Sequence, residues 1–293
     1  MKRDLDELFE PEILAGDLRE VRRIYANFFA GLSRVDWDRP VKGSPEEWNL
    51  HETVAHLCAL NGAGLESIQC ALQGEPYVFE GLRDRYEFHD YNLRGIEEHR
   101  PLPREDLCAE LLEILDQAAE IAGTLLPGQA VLTSEMPIYN RPVKIGEALS
   151  IILFHTGLTH AAQVAEPAGL PPLWMHLSPE TRHRMVGRVM SALSLLYRYE
   201  LGGDLQAAIA FQVGGEGGGD WYVQASPEAC RAGFGAADRP NLTIRLRNTD
   251  SFCKMFTGRL NLLPALLTRR LRLSGDLRLF LRMGSLFSVD GSH

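Results

Sequence analysis

The chain has few cysteines. Its five, Cys58, Cys70, Cys108, Cys230 and Cys253, show no CxxC spacing. An odd, scattered set reads as reduced thiols in a cytosolic protein. The opening MKRDLDELFEPE has no apolar signal region, and no apolar run is expected to reach the roughly 18 residues of a membrane span. The expectation is a soluble cytoplasmic protein without a transmembrane segment. An excess of basic residues is also missing: 30 Lys and Arg stand against 39 Asp and Glu, a net charge of −9. That balance excludes a nucleic-acid backbone as the natural partner. The Gly-rich run GGEGGG at 214–219 lacks the Lys-Ser/Thr and the following helix of a phosphate loop, which leaves it as a hairpin turn.

What is present is organised in two halves. A length of 293 residues suggests about two domains. Residues 1–177 hold 15 basic and 29 acidic residues, whereas 178–293 hold 15 and 10, so the charge steps from −14 to +5. This step, together with the Pro-rich run AEPAGLPPLWMHLSPE from Ala165, sets a first domain over 1–169, a linker over 170–178 and a second domain over 179–293.

The first half predicts an all-α bundle of four main helices. Residues 1–15 read as an acidic lead-in. A helix capped by Asp17 carries Leu18, Val21, Ile24, Tyr25, Phe28, Phe29 and Leu32 at three-and-four spacing. In SPEEWNLHETVAHL, Asn49 and Glu52 have capping-box spacing, so a second helix starts at Leu50, with Trp48 packed over its beginning. Residues 83–99 form a more polar helix, and Leu107 to Leu125 another, stopped by Pro127-Gly128. The run PIYNRPVKI allows a short extended piece. The helix Ile145 to Val164 is apolar almost all round and is therefore central and buried.

The second half predicts a small α+β domain. Ser178-Pro179 caps a helix, and LQAAIAFQV, GDWYVQAS and PNLTIRLR are strand-like. A helix capped by Thr249 or Asp250, a second helix, a strand around Leu271 and Leu273 and a last helix follow.

The candidate chemistry is a pairing of His56 on one bundle helix with His160 on another. Imidazoles facing inward from different helices suit zinc, nickel or iron. The spacing leaves the third ligand open among Glu52, His155 and Thr156. Thr156 lies four residues before His160 but is a poor ligand. His155 and His51 lie five before His160 and His56, roughly 140° around a regular helix, and only a local bulge would bring His155 round. Otherwise His155 packs at a helix interface. The alternative is a set of buried, neutral histidines bonded to one another or to nearby Thr and Gln, Gln163 among them. His89, His99, His176, His183 and His293 read as surface residues, and Cys58 as a small core residue. In the second half Phe252, Met255, Phe256, Leu263, Leu267, Phe280 and Met283 supply excess apolar surface, for a core or an apolar ligand cavity. The run Arg269, Arg270, Arg272 fits either a solvated face or transient contact with lipid head groups.

WNLHETVAHL and HAAQV, with DYNLRG, resemble the DinB-like four-helix-bundle superfamily, including its thiol-dependent maleylpyruvate isomerases, over roughly residues 15–165. That resemblance implies a divalent metal held by the histidines matching His56 and His160, with the middle ligand position falling on Thr156, and a low-molecular-weight thiol as cofactor. LTIRLRNTDSFCKMFTGRLN and LRLSGDLRLFLRMGSLF resemble the sterol carrier protein family over roughly 180–290, which implies an apolar tunnel for lipid-like ligands. Two functions stay open. One is a metal-dependent thiol transferase or isomerase with an apolar ligand in the second domain. The other is a non-enzymatic carrier whose metal-free bundle is a scaffold or homodimerisation unit.

Overall fold

The computed structural model describes residues 5–41 and 48–288. The first four residues of the acidic lead-in, the segment 42–47 and His293 lie outside the described residues. The chain forms two compact units.

One unit is the helical bundle, built from Phe9–Pro137 and Pro142–Leu177. Its helices are α1 (Pro11–Ala30), α2 (Leu50–Gln73), α3 (Phe88–His99), α4 (Arg104–Thr124) and α5 (Ile145–Phe154), the last continuing through a π-helical turn into α6 (Ala161–Ala165). α1 starts at Pro11 in the first turn and not at Asp17. The apolar stripe runs back to Leu14, so the helix extends toward its N-terminus until Pro11, which a first turn tolerates. Asp17 is therefore buried within the helix. α2 begins as its spacing predicts. Asn49 accepts from the Glu52 amide at 2.9 Å, while the Glu52 carboxylate accepts from the Asn49 amide at 3.0 Å. Gly74 ends the helix in the left-handed conformation, φ 75°.

α1 packs along α4, α2 packs on α3 and α4, and α5 sits against α1, α2 and α4. Leu14, Leu18, Leu57, Leu111, Leu115, Leu149 and Leu153 are fully or almost fully buried at their centre. Each such side chain stabilises the bundle by roughly 1.5–3 kcal/mol. The stretch Ile145–Ala168 is long and apolar enough to cross a membrane by length and composition, against the expectation from sequence. With 78% of the window buried inside the protein, it is the core helix of the bundle. The extended piece pairs Val143–Lys144 with Thr133–Ser134. The Pro-rich run after Ala165 holds two 3-10 turns, Glu166–Ala168 and Leu173–His176, the second burying Leu173 and Trp174.

The other unit contains the described residues up to Leu8, Ile138–Arg141 and those from Ser178 onward. Helix α7 (Pro179–Leu196) precedes β1 (Ala207–Val213), β2 (Gly219–Ala225), β3 (Cys230–Phe234) and β4 (Leu242–Leu246). Helices α8 (Thr249–Phe256) and α9 (Leu262–Leu267), strand β5 (Leu271–Gly275) and helix α10 (Leu277–Leu286) follow. The sheet order is β3-β2-β1-β4-β5, antiparallel except for the parallel pair β1/β4. The Gly-rich run closes the β1–β2 hairpin, with Gly215 and Gly217 at φ 73° and 70°. α7 covers β2 and β3, and α8 packs on α7 and β4.

Two sequence expectations need correction here. The cap of α8 is Asn248, which accepts from the Ser251 amide at 2.9 Å, in place of Thr249 or Asp250. His183 is not a surface residue: its ring stacks on Phe234 at 5.5 Å and meets Trp221 at 4.9 Å. Its partners come from β2 and β3, and β3 was not legible in the sequence. His89 and His176 are exposed, while His99 is half-buried beside Glu110.

Candidate metal centre

His56 sits in the second turn of α2, placed by the capping box at Asn49. His160 lies beyond α5, just before α6. In a regular helix the His160 amide would bond the Thr156 carbonyl. Here it bonds the His155 carbonyl instead, at 3.2 Å, one residue further back. The Thr156 carbonyl is taken by Tyr25, whose buried hydroxyl donates to it at 2.8 Å from α1. A side chain inserted into the ladder is a known cause of a π-turn, and residues 155–159 form one.

This turn brings His155 round to the face of His160. The ring centroids of His56, His155 and His160 lie 4.6–5.2 Å apart. One ring nitrogen from each falls within 4.8 Å of the others. Of the other residues considered as ligands, Glu52 is engaged in the cap and pairs with Arg100 at 3.0 Å. The Thr156 hydroxyl donates to the Ile152 carbonyl and accepts from Asn61, both at 2.9 Å. His51 faces elsewhere, with Nε2 3.2 Å from the Arg100 carbonyl.

The hydrogen bonds settle which nitrogen of His155 carries its proton. The Thr156 hydroxyl spends its single proton on Ile152, so Asn61 must present its amino group to Thr156. The Asn61 carbonyl oxygen then faces His155 Nδ1 at 2.9 Å and needs a proton there. Nδ1 is protonated, and the lone pair is on Nε2. His160 Nδ1 likewise meets the side-chain oxygen of Gln163. Fixing the outer nitrogen of an imidazole in this way is what residues behind metal ligands do. His56 Nδ1 is buried without a hydrogen-bond partner among the described residues. A group of this kind usually implies a missing partner. Burial holds the pKa of both His56 and His155 well below the usual imidazole value. The nearby His160 adds to this for both, and His56 adds to it for His155. Neutral imidazoles are the form a metal binds. The donor set therefore fits a divalent cation.

The chain's own thiols do not enter this site. The Cys58 thiol points toward α4, bonding the Leu107 carbonyl at 3.4 Å, and burial pushes its pKa up. Burial pushes Cys108 and Cys230 up to about 12, and Cys253 is raised for the same reason. Trp48 packs its ring 5.2 Å from His56 and limits access from that side.

In the second unit, Phe252 is buried against Phe211 and Phe256, at 6.5 and 6.4 Å. Met255, Phe256, Phe280 and Met283 are half-buried. Leu263 and Leu267 are 68% and 76% exposed and lie on the outside of the domain.

With this geometry described, the comparisons with known proteins give the class. Residues 18–144 match the family model of the mycothiol maleylpyruvate isomerase N-terminal domain, and residues 198–288 that of the SCP-2 sterol transfer family. The chain joins a DinB-like bundle resembling the first to an α+β domain resembling the second. The first match ends at Lys144, so His56 lies within it and His155 and His160 lie beyond it. The fold resembles the crystal structure of the mycothiol-dependent maleylpyruvate isomerase. The TM-score is 0.53 at 11% identity, covering 88% of this chain and 92% of that one, a likeness of fold alone. Among curated proteins, hydroxysteroid dehydrogenase-like protein 2 of Mus musculus is 30% identical over 88 residues, 30% of this chain and 18% of that protein. Its Bos taurus counterpart is 28% identical over 87 residues, 30% of this chain and 21% of that protein. The match thus spans about a fifth of those relatives.

Asn61 yields the first prediction. Replacing it with alanine frees His155 to rotate and to change tautomer. Metal affinity should fall on the order of 10–100-fold, read by competition against a chromophoric chelator. Equal affinities would mean that Asn61 does not position His155.

Proposed function

We propose that the bundle is a metal-dependent, thiol-linked transferase or isomerase, and that the second unit holds an apolar, lipid-like ligand, in a cytoplasmic protein. The observation that carries this reading is the convergence of His56, His155 and His160, with the outer nitrogens of His155 and His160 held by Asn61 and Gln163. A zinc, nickel or iron ion bound there would supply Lewis-acid activation of a thiol or a water. The chain contributes three imidazoles, two of them held in orientation by Asn61 and Gln163, and a tryptophan packed against the third. Burial raises the thiols of Cys58, Cys108, Cys230 and Cys253, and the thiol of the reaction is a small molecule brought in with the substrate. The match to the mycothiol maleylpyruvate isomerase domain supports the same assignment, and the match to the sterol transfer family supports the apolar ligand.

Elemental analysis of protein purified without chelators or a histidine tag tests the metal. About one divalent ion per chain is expected. Metal-free protein that stays so after reconstitution would overturn the enzyme and leave a carrier. Organic extraction tests the second unit separately: acyl or polycyclic molecules should be released. Empty extracts, with no shift on adding fatty acid, would remove the apolar ligand.

A further inference from the structure

The second unit carries a recess of about 550 Å³ that the proposed function does not use. Arg245, Arg247, Arg269 and Arg272 line it together with Gln212 and a single acid, Asp220. Strand register aligns Asp220, Gln212, Arg245 and Arg272 across β2, β1, β4 and β5. Arg245 therefore stands directly opposite Arg272, and like charges in that relation destabilise a sheet. Arg245 Nε is held by the Gln212 side-chain oxygen at 2.6 Å. Arg269 takes the left-handed backbone conformation, φ 57°, which a non-glycine residue adopts only against a cost. Among the described residues, none of the four arginines makes an ion pair. Their neighbour Arg270, by contrast, turns away to Asp250 at 3.6 Å. An ordinary solvated face intersperses its charges. Here four arginines without an ion pair among the described residues line one concavity, in a protein with a net charge of −9.

We infer that this recess binds a phosphoryl group or a comparable polyanion. Guanidinium forks match phosphate oxygens in pairs, and a ligand with two or more negative charges would relieve the repulsion between Arg245 and Arg272. The phosphoryl group has two sources, a soluble phosphoester or the head group of an anionic lipid. The exposed Leu263 and Leu267 of α9, just before Arg269, lie beside the recess along the chain.

The test uses the full chain with two probes. Pyrophosphate is titrated by calorimetry, and phosphatidylcholine vesicles with and without phosphatidic acid are tested by co-sedimentation. Binding to pyrophosphate identifies a soluble phosphoester site, and binding only to the anionic vesicles identifies a head-group site. The double variant Arg245→Ser/Arg272→Ser should weaken either by about tenfold or more for each guanidinium removed. Its melting temperature should not fall, because both side chains are exposed and repel one another. Arg247→Ser, outside the strand pair, should weaken binding in the same direction. No binding to either probe, or equal binding by wild type and both variants, would overturn the assignment.

Discussion

Replacing His56 with alanine is expected to remove the metal and leave the bundle folded. His56 is only 4% exposed and stands between Trp48 and the two histidines of the π-turn segment. Truncating a buried ring leaves a cavity that costs about 3–5 kcal/mol in a fully packed apolar core. The same change deletes a buried nitrogen that has no partner, and such a group carries a penalty of about 1–3 kcal/mol. The two effects oppose each other, so the metal-free protein should lose only about 0–4 kcal/mol by their difference, with about 2 kcal/mol at the centre of that range. The metal-bound protein loses far more, because binding stabilises the folded state by an amount that rises with the logarithm of ligand concentration over Kd. Metal content should drop to background, and the melting temperature should stop responding to added metal. Circular dichroism should retain the helical signal. Unchanged metal content in the variant would exclude His56 as a ligand.

Tyr25→Phe is the second large effect, and it acts through the backbone. The lost hydroxyl touches no histidine. It holds the Thr156 carbonyl, and without it that carbonyl is free to accept the His160 amide in ordinary α-helical fashion. Restoring the regular ladder turns His155 roughly 140° away from His160. Metal affinity should fall by at least the order of 10–100-fold seen when residues behind a metal site are lost. Global stability should change by only about 1 kcal/mol, the usual value of one hydrogen bond. A chelator competition titration reads the affinity and a urea melt the stability. Wild-type affinity in this variant would mean that the turn persists without Tyr25.

These two residues also show what local sequence carries and what it does not. The Asn49–Glu52 pair announces the start of α2, and with it the position of His56, because a capping box lies within four residues. Helical periodicity likewise gives the four main helices. The membership of His155 in the cluster depends on a hydrogen bond between residues 131 positions apart. From spacing alone His155 belongs on the wrong side of its helix, and only a bulge, which no local motif announces, corrects this. Strand β3 was hidden for a different reason. The fourth of its five residues is Gly233, a weak strand former, and a Cβ there would come within 2.5 Å of the Tyr222 hydroxyl on β2. The residue that lowers the strand signal is the one that the neighbouring strand requires. In the second unit, the composition of the arginine run was visible. Its convergence with Arg245 and Arg247 depends on β5 pairing with β4 and not with some other strand.

The make-up of the second unit has a consequence for how the protein is synthesised. Leu8 is fully buried there. Its backbone carbonyl accepts from Arg188 at 3.0 Å, and Gly187 leaves room for its side chain. Asn140 donates from its side chain to the Ser194 and Tyr197 carbonyls at 3.0 Å. A ribosome therefore releases the first piece of this unit long before the rest of it exists. Leu8 must wait through about 180 residues of elongation, some 10–40 s at ordinary translation rates, before Arg188 emerges. During that interval the bundle can form, while Leu5 and Leu8 of the acidic lead-in stay without the partners that bury them and open to chaperones. Completion of the second unit is thus a late event in chain elongation, and it closes a long loop whose entropy is charged only once.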